Sequence, residues 1–187
     1  GVEKIGGDYR TNRTLIKFDL PQIGTGSEVI DATLSLLCYP ISYNAEYVDN
    51  KVLTIHRITT DWSEETANWE NMNSNYSNRI ESTILASRSV SAGNIIQVPQ
   101  YASAYLTNLV KKWYTGTPNY GIMLKSCEEI YIDEGYPAFF SKSTNIEGID
   151  VKPFLEITYR NQNGLEGYLN YQSQSLAQGT TYVNTYN

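Results

Sequence analysis

Apolar and polar residues alternate from Arg13 to Leu20, with Ile16, Phe18 and Leu20 on one face, Lys17 and Asp19 on the other, and Pro21 at the end. A period of two predicts a half-buried strand. Val29–Tyr39 repeats it: Ala32, Leu34, Leu36 and Cys38 point one way, Asp31, Thr33 and Ser35 the other. Leu53 and Ile55 open a third strand, whose phase slips by one before Ile58 and predicts a bulge. Ser82–Ser87 and Ile95–Val98 read as short strands, Gly121–Ser126 as a buried one, Ala138–Ser141 as an aromatic one, and Phe154–Tyr159 as the last alternating run. The opening GVEKIGG has the character of a strand and a turn.

Only one segment has a helical period. Leu106, Leu109, Val110 and Trp113 fall on one face, Thr107 or Ser103 can accept from the first amides, and Gly116 with Pro118 stops the turn. This predicts one short α-helix over about residues 103–115 in an otherwise all-β chain, an antiparallel, jelly-roll-like β-sandwich with the helix plugging one end. Asp61–Asn71 fits neither period. Its Trp62 and Trp69 read as rings on an ordered loop that closes the sandwich end, followed by a polar crossing over residues 71–79. From Asn161 onward Gln, Asn, Ser, Gly and Thr dominate. The expected organisation is a sandwich domain over residues 1–160, then residues 161–187 as a linker, the start of a following domain, or a strap on the sandwich.

Composition narrows the function. With a net charge of −6 and no run among its 14 Lys and Arg residues, the 187-residue chain is a poor partner for nucleic acid. No stretch reaches the roughly 18 apolar residues of a membrane span. Cys38 and Cys127 either pair or stay as thiols. The 16 Tyr, against 4 Phe and 3 Trp, suit both sheet faces and recognition surfaces, since the ring offers a flat apolar face with a polar tip.

Five stretches, in this order, resemble the DNRLRE domain family: Asn12–Pro21, Ile30–Leu36, Asp61-Trp62-Ser63-Glu64 with Trp69-Glu70-Asn71, Trp113–Gly116 with Asn119-Tyr120-Gly121, and Pro153–Tyr159. That family is similar to disaggregatase-related repeats and to a carbohydrate-binding module found beside alginate lyases. The resemblance implies a β-sandwich on secreted or wall-attached proteins of bacteria and archaea, often with sugar binding and a structural calcium. It also implies a strand ahead of the point matching Gly1, so the domain is expected to lack its first strand and to show an edge that the tail or a second chain covers. Gly164–Tyr168 with Tyr182-Val183-Asn184 resembles the segment that joins such domains to Rhs or YD-repeat wall-associated proteins of Gram-positive bacteria.

Catalysis finds little support in the residues. Glycoside hydrolysis needs two carboxyl groups about 5–10 Å apart across a cleft, whereas Glu64/Glu65, Glu128/Glu129 and Asp133/Glu134 are sequence neighbours that a strand sends to opposite faces. His56, the sole histidine, lies on the face opposite Leu53 and Ile55 and reads as a sheet-surface residue. Trp62, Trp69 and Trp113 read as packing residues. The loop tyrosines Tyr43, Tyr47, Tyr76, Tyr131 and Tyr136 are the candidate ligand-binding residues, each able to stack on a sugar ring. Hard oxygen ligands for calcium would come from Asp31, Asp133, Glu134, Glu147 or Asp150. The expected function is a non-catalytic extracellular module of a large surface protein that binds carbohydrate or spaces other domains. The alternatives are a structural or adhesive segment without a sugar site, and a polysaccharide-degrading enzyme.

Overall fold

The computed structural model describes residues 2–5, 8–37, 51–86, 101–126, 139–144, 151–161, 166–171 and 177–186. In chain order they form β1 (Val2–Ile5), β2 (Asp8–Phe18), β3 (Glu28–Leu37), β4 (Lys51–Ile58), α1 (Trp69–Met72), β5 (Tyr76–Ala86), β6 (Tyr101–Tyr105), α2 (Thr107–Tyr114), β7 (Ile122–Ser126), β8 (Phe154–Arg160), β9 (Glu166–Tyr171) and β10 (Ala177–Tyr186). Two antiparallel sheets result. One, sheet A, has the order β1-β2-β7-β4-β5, with β10 along the other edge of β2; sheet B has the order β6-β3-β8-β9. The all-β sandwich expected from the alternation is therefore the observed architecture.

The core lies between the sheets, built by the inward positions of each alternating run. Ile16, Phe18, Leu53, Ile55, Ile84, Ile122 and Leu124 of sheet A meet Val29, Ala32, Leu34, Leu36, Ala102, Ala104, Leu155 and Ile157 of sheet B. Each fully buried Leu or Ile contributes about 1.5–3 kcal/mol relative to exposure. The phase slip before Ile58 is real, since the β4–β5 register shifts on both sides of His56. Cys38, Cys127 and the expected strand Ile95–Val98 lie outside the described residues. In the expected aromatic strand, Phe139 forms only an isolated bridge, while the Phe140 amide donates to the Leu37 carbonyl at 3.0 Å.

The helix begins later than its periodicity predicts. Residues 101–105 form β6, and α2 starts at Thr107 after Leu106, which caps it with no side-chain hydrogen bond. Ser103 instead meets Ser35 (Oγ–Oγ 3.1 Å), and the Thr107 hydroxyl accepts from the Ala32 amide at 3.0 Å while donating to Asp31 at 2.9 Å. The helix is thereby tied to β3 instead of being capped by itself. Leu109, Val110 and Trp113 plug the sandwich end, and the Thr117 amide reaches back to the Lys112 carbonyl at 2.9 Å around Gly116, at φ +106°, in a Schellman arrangement. Lys112 also pairs with Glu81 of β5 at 3.2 Å.

The Asn119-Tyr120-Gly121 turn fastens β7 to its neighbours. Asn119 donates to the Phe18 carbonyl at 2.7 Å and accepts from the Gly121 amide at 3.0 Å. Gly121 has φ +88°, and a Cβ there would sit 2.3 Å from the Ile16 carbonyl oxygen, so no other residue fits without moving the turn.

Candidate functional site

Alternation sends a second set of side chains to the outside of sheet A: Arg13, Leu15 and Lys17 from β2, Met123 and Lys125 from β7, Thr54, His56 and Ile58 from β4, and Tyr76, Ile80, Thr83 and Leu85 from β5. Half of this face is covered. The loop over residues 59–75 folds back across it and lays Trp62, Ala67, Trp69 and Met72 on Leu15, Ile58 and Met123, making a second small core. Trp62 and Trp69 thus pack on the outside of sheet A and do not close the sandwich end, a place taken by Trp113.

Several contacts hold that loop. Asn68 and Asn71 form a reciprocal capping box at 3.1 and 3.0 Å that starts α1. The Trp62 indole donates to the Tyr120 carbonyl at 2.7 Å. The Arg13 guanidinium lies 3.6 Å from the Trp69 ring centroid, a cation–π contact. Lys17 donates to Asp61 at 3.0 Å; this hydrogen bond first, then the Trp62 backbone amide and the Lys17 charge, holds the Asp61 carboxyl below its ordinary value.

Beyond the loop the face over β4 and β5 is open. Val52, Ile80 and Leu85 are 41%, 50% and 53% exposed, and Thr83 is exposed among them, while its cross-strand partner Thr54 is buried. Tyr76 stands at the border. Its ring packs on the covered cluster, meets His56 edge-on at 5.5 Å between centroids, and has the Lys125 ammonium 5.8 Å from its centre. Buried His56 is fixed beneath it, with Nδ1 2.8 Å from the Ser77 carbonyl and Nε2 2.9 Å from the Thr54 hydroxyl. A carbonyl only accepts, so Nδ1 carries a proton toward Ser77. Thr54 also lies 3.4 Å from the Lys125 carbonyl.

The result is a face with a half-buried ring, an adjacent ammonium, the Thr83 hydroxyl and exposed aliphatic carbon. That combination suits stacking and hydrogen bonding to a polyhydroxylated ring. Neighbouring acids are occupied: Asp61 by Lys17, Glu81 by Lys112, and Glu64 by Lys142 at 2.7 Å.

Of the candidate tyrosines read from the sequence, Tyr76 belongs to this face, while Tyr43, Tyr47, Tyr131 and Tyr136 lie outside the described residues. Lys125, Thr54 and Thr83 were not singled out by sequence; the strand phase, once the β4 bulge is counted, puts all three on one face with Tyr76. Of the expected calcium ligands only Asp31 is described, and its oxygens receive the hydroxyls of Thr107 at 2.9 Å and Thr33 at 3.3 Å. Asp133, Glu134, Glu147 and Asp150 lie outside the described residues, and among the described residues no three His, Cys, Asp or Glu side chains gather as a metal site. No described helix is long and apolar enough to cross a membrane.

Comparison with protein families matches residues 2–159 to Carbohydrate-binding module family 96. No curated protein and no solved structure matches the chain.

Proposed function

The chain belongs to carbohydrate-binding module family 96, and from that membership we propose that it holds polysaccharide, without chemistry, on the open half of the outer face of sheet A. The observation that carries the placement is the grouping of Tyr76, Lys125 and Thr83 beside exposed Ile80 and Leu85 on one face of the sheet. Lys125 favours a polymer bearing carboxylates, because a partly exposed ammonium contributes up to about 1 kcal/mol to an ion pair. Stacking on Tyr76 adds about 1 kcal/mol beyond buried area, so a few such contacts reach the roughly 4 kcal/mol of millimolar affinity.

Such polymers lie outside cells, which supports an extracellular or wall-associated place for the module. The DNRLRE-like motifs and the Rhs-like tail support a parent that is a large surface protein, with this domain also spacing its neighbours. We keep a boundary near Asn161, where the family match has ended and β9 and β10 add one strand to each sheet.

Affinity electrophoresis through gels containing polygalacturonate or hyaluronan tests the reading. Retardation is expected, with Lys125→Ala weakening it about fivefold, the equivalent of one ion pair, and Tyr76→Ala weakening it at least as much. Unretarded migration in every acidic gel favours a purely structural or adhesive segment. Release of reducing ends or an unsaturated-uronate absorbance would instead identify a degradative enzyme.

A further inference from the structure

Strand β5 is the outer strand of sheet A, and its ladder with β4 is interrupted. Ile58 faces Tyr76 and His56 faces Ile80, so Ser77, Asn78 and Arg79 together stand opposite the single residue Arg57. The extra residues make a bulge, which re-aims side chains away from the ladder. Two contacts fix its shape: His56 Nδ1 lies 2.8 Å from the Ser77 carbonyl, and the Arg79 amide donates to the Ser77 hydroxyl at 3.1 Å.

The Arg79 side chain leaves this bulge 69% exposed. Its Nε lies 3.8 Å from Oε2 of Glu81, a carboxylate whose side chain is only 4% exposed, and Lys112 of α2 donates to the same oxygen at 3.2 Å. One buried oxygen thus gathers two cations. Lys112 alone balances the buried charge, which leaves Arg79 in surplus, and among the described residues the two terminal nitrogens of its guanidinium make no hydrogen bond. The wider charge is one-sided too. Across β4, β5, β7 and α2 the sequence holds one acid, Glu81, against Lys51, Arg57, Arg79, Lys111, Lys112 and Lys125, in a chain of net charge −6. Glu28 of β3 offsets Lys111 at 3.5 Å, whereas Glu81 cannot offset both of its cations.

We propose that this edge is an anion site separate from the stacking face: Arg79 offers its planar fork, Lys112 lends a second positive charge, and buried Glu81 holds the two together. The group it takes is an oxyanion substituent of the polysaccharide, a carboxylate or a sulfate ester, since a guanidinium grips two oxygens of one such group at once. The proposal rests on the carbohydrate-binding reading above and deepens it. Arg79 stands three residues from Tyr76 and next to exposed Ile80, at most about 10 Å along the strand, so a polymer stacked on the ring also reaches the fork. The ammonium of Lys125 attracts a charged chain from any direction, while the fork of Arg79 orients it.

Affinity electrophoresis of the full chain in polygalacturonate, which carries carboxylates alone, and in κ-carrageenan, which carries sulfates alone, tests the site. Arg79→Ala is expected to weaken retardation about fivefold in the gel or gels whose anion the site takes. Arg79→Lys keeps the charge without the fork and is expected to recover less than half of that loss; full recovery would refute the bidentate grip. Lys111→Ala removes one charge from the same helix as Lys112 and is expected to match wild type. The exposure of Arg79 predicts little change in thermal unfolding for either of its variants. Equal retardation of wild type and Arg79→Ala in both gels overturns the site, as does an equal loss from Lys111→Ala, which marks a bulk effect of charge. Lys125→Ala and Tyr76→Ala report separately on the stacking face: if they weaken binding and Arg79→Ala does not, the carbohydrate reading stands without this site. Wild type retarded in neither gel overturns both.

Discussion

Replacing Gly24, Gly116 and Gly121 by alanine, one at a time, grades the backbone argument on a single scale. At Gly24, whose φ is not positive, the new methyl meets the Ser27 hydroxyl at 3.6 Å, an ordinary contact, and the expected change is within about 0.5 kcal/mol. At Gly116 a Cβ meets nothing within 4 Å, but φ is +106°, so only the left-handed penalty of about 1–2 kcal/mol applies. Gly121 combines φ +88° with a Cβ 2.3 Å from the Ile16 oxygen and 3.0 Å from the Lys17 Cα, both backbone atoms that cannot swing aside. Relieving that overlap lifts the turn off β2. At stake are the hydrogen bonds from Asn119 to Phe18, from the Ile58 amide to Gly121 and from Trp62 to Tyr120. At about 1 kcal/mol each, added to the conformational penalty, the loss comes to about 4 kcal/mol, a large share of a typical domain stability of 5–15 kcal/mol. Urea unfolding followed by Trp fluorescence measures all three. A Gly121→Ala loss below about 1 kcal/mol, or one smaller than that of Gly116→Ala, would refute the reasoning.

Lys112→Met leaves the Glu81 carboxylate, whose side chain is only 4% exposed, with the 3.8 Å contact to Arg79; a loss of about 2 kcal/mol is expected, and adding Glu81→Gln should recover part of it in the same urea assay. The Asp61 carboxyl is held low in the folded chain, so its link to Lys17 stabilises above the ordinary carboxylate value near 4 and is lost as pH falls through the lower folded value. Asp61→Asn should accordingly be slightly less stable than wild type at pH 7 and equal to it near pH 2, and a gap that widens on acidification would contradict the assignment. Nitrogen-15 correlation spectra should show a proton on Nδ1 of His56, and an Nδ1 without one would contradict the bond to Ser77.

What the sequence could reveal depended on which force set each element. Alternation alone located β2, β3 and β8, because one buried face leaves a period of two, and the slipped phase before Ile58 marked the β4–β5 bulge correctly. The second core was harder to see. Leu15 beside Ile16 and Met123 between Ile122 and Leu124 break alternation because both faces of sheet A are covered there, and a single run does not say what covers the second face. Tyr76 falls in a polar stretch that reads as a crossing, yet pairing with β4 makes it the first residue of β5, a tertiary choice stronger than local propensity. The early end of the expected helix has a similar cause. Tyr101–Tyr105 alternates between aromatic or hydroxyl residues and alanine, so its inward face is too small to announce a strand, and Tyr105 was absorbed into the helix approach instead of standing out as an exposed ring.

Amide chemical-shift mapping with an oligogalacturonate titrated into the labelled full chain tests the central claim most directly. Shifts concentrated at Thr54, Tyr76, Thr83 and Lys125, saturating at millimolar ligand or below, are predicted. Saturable shifts that leave those four amides still and gather elsewhere on the molecule would contradict it.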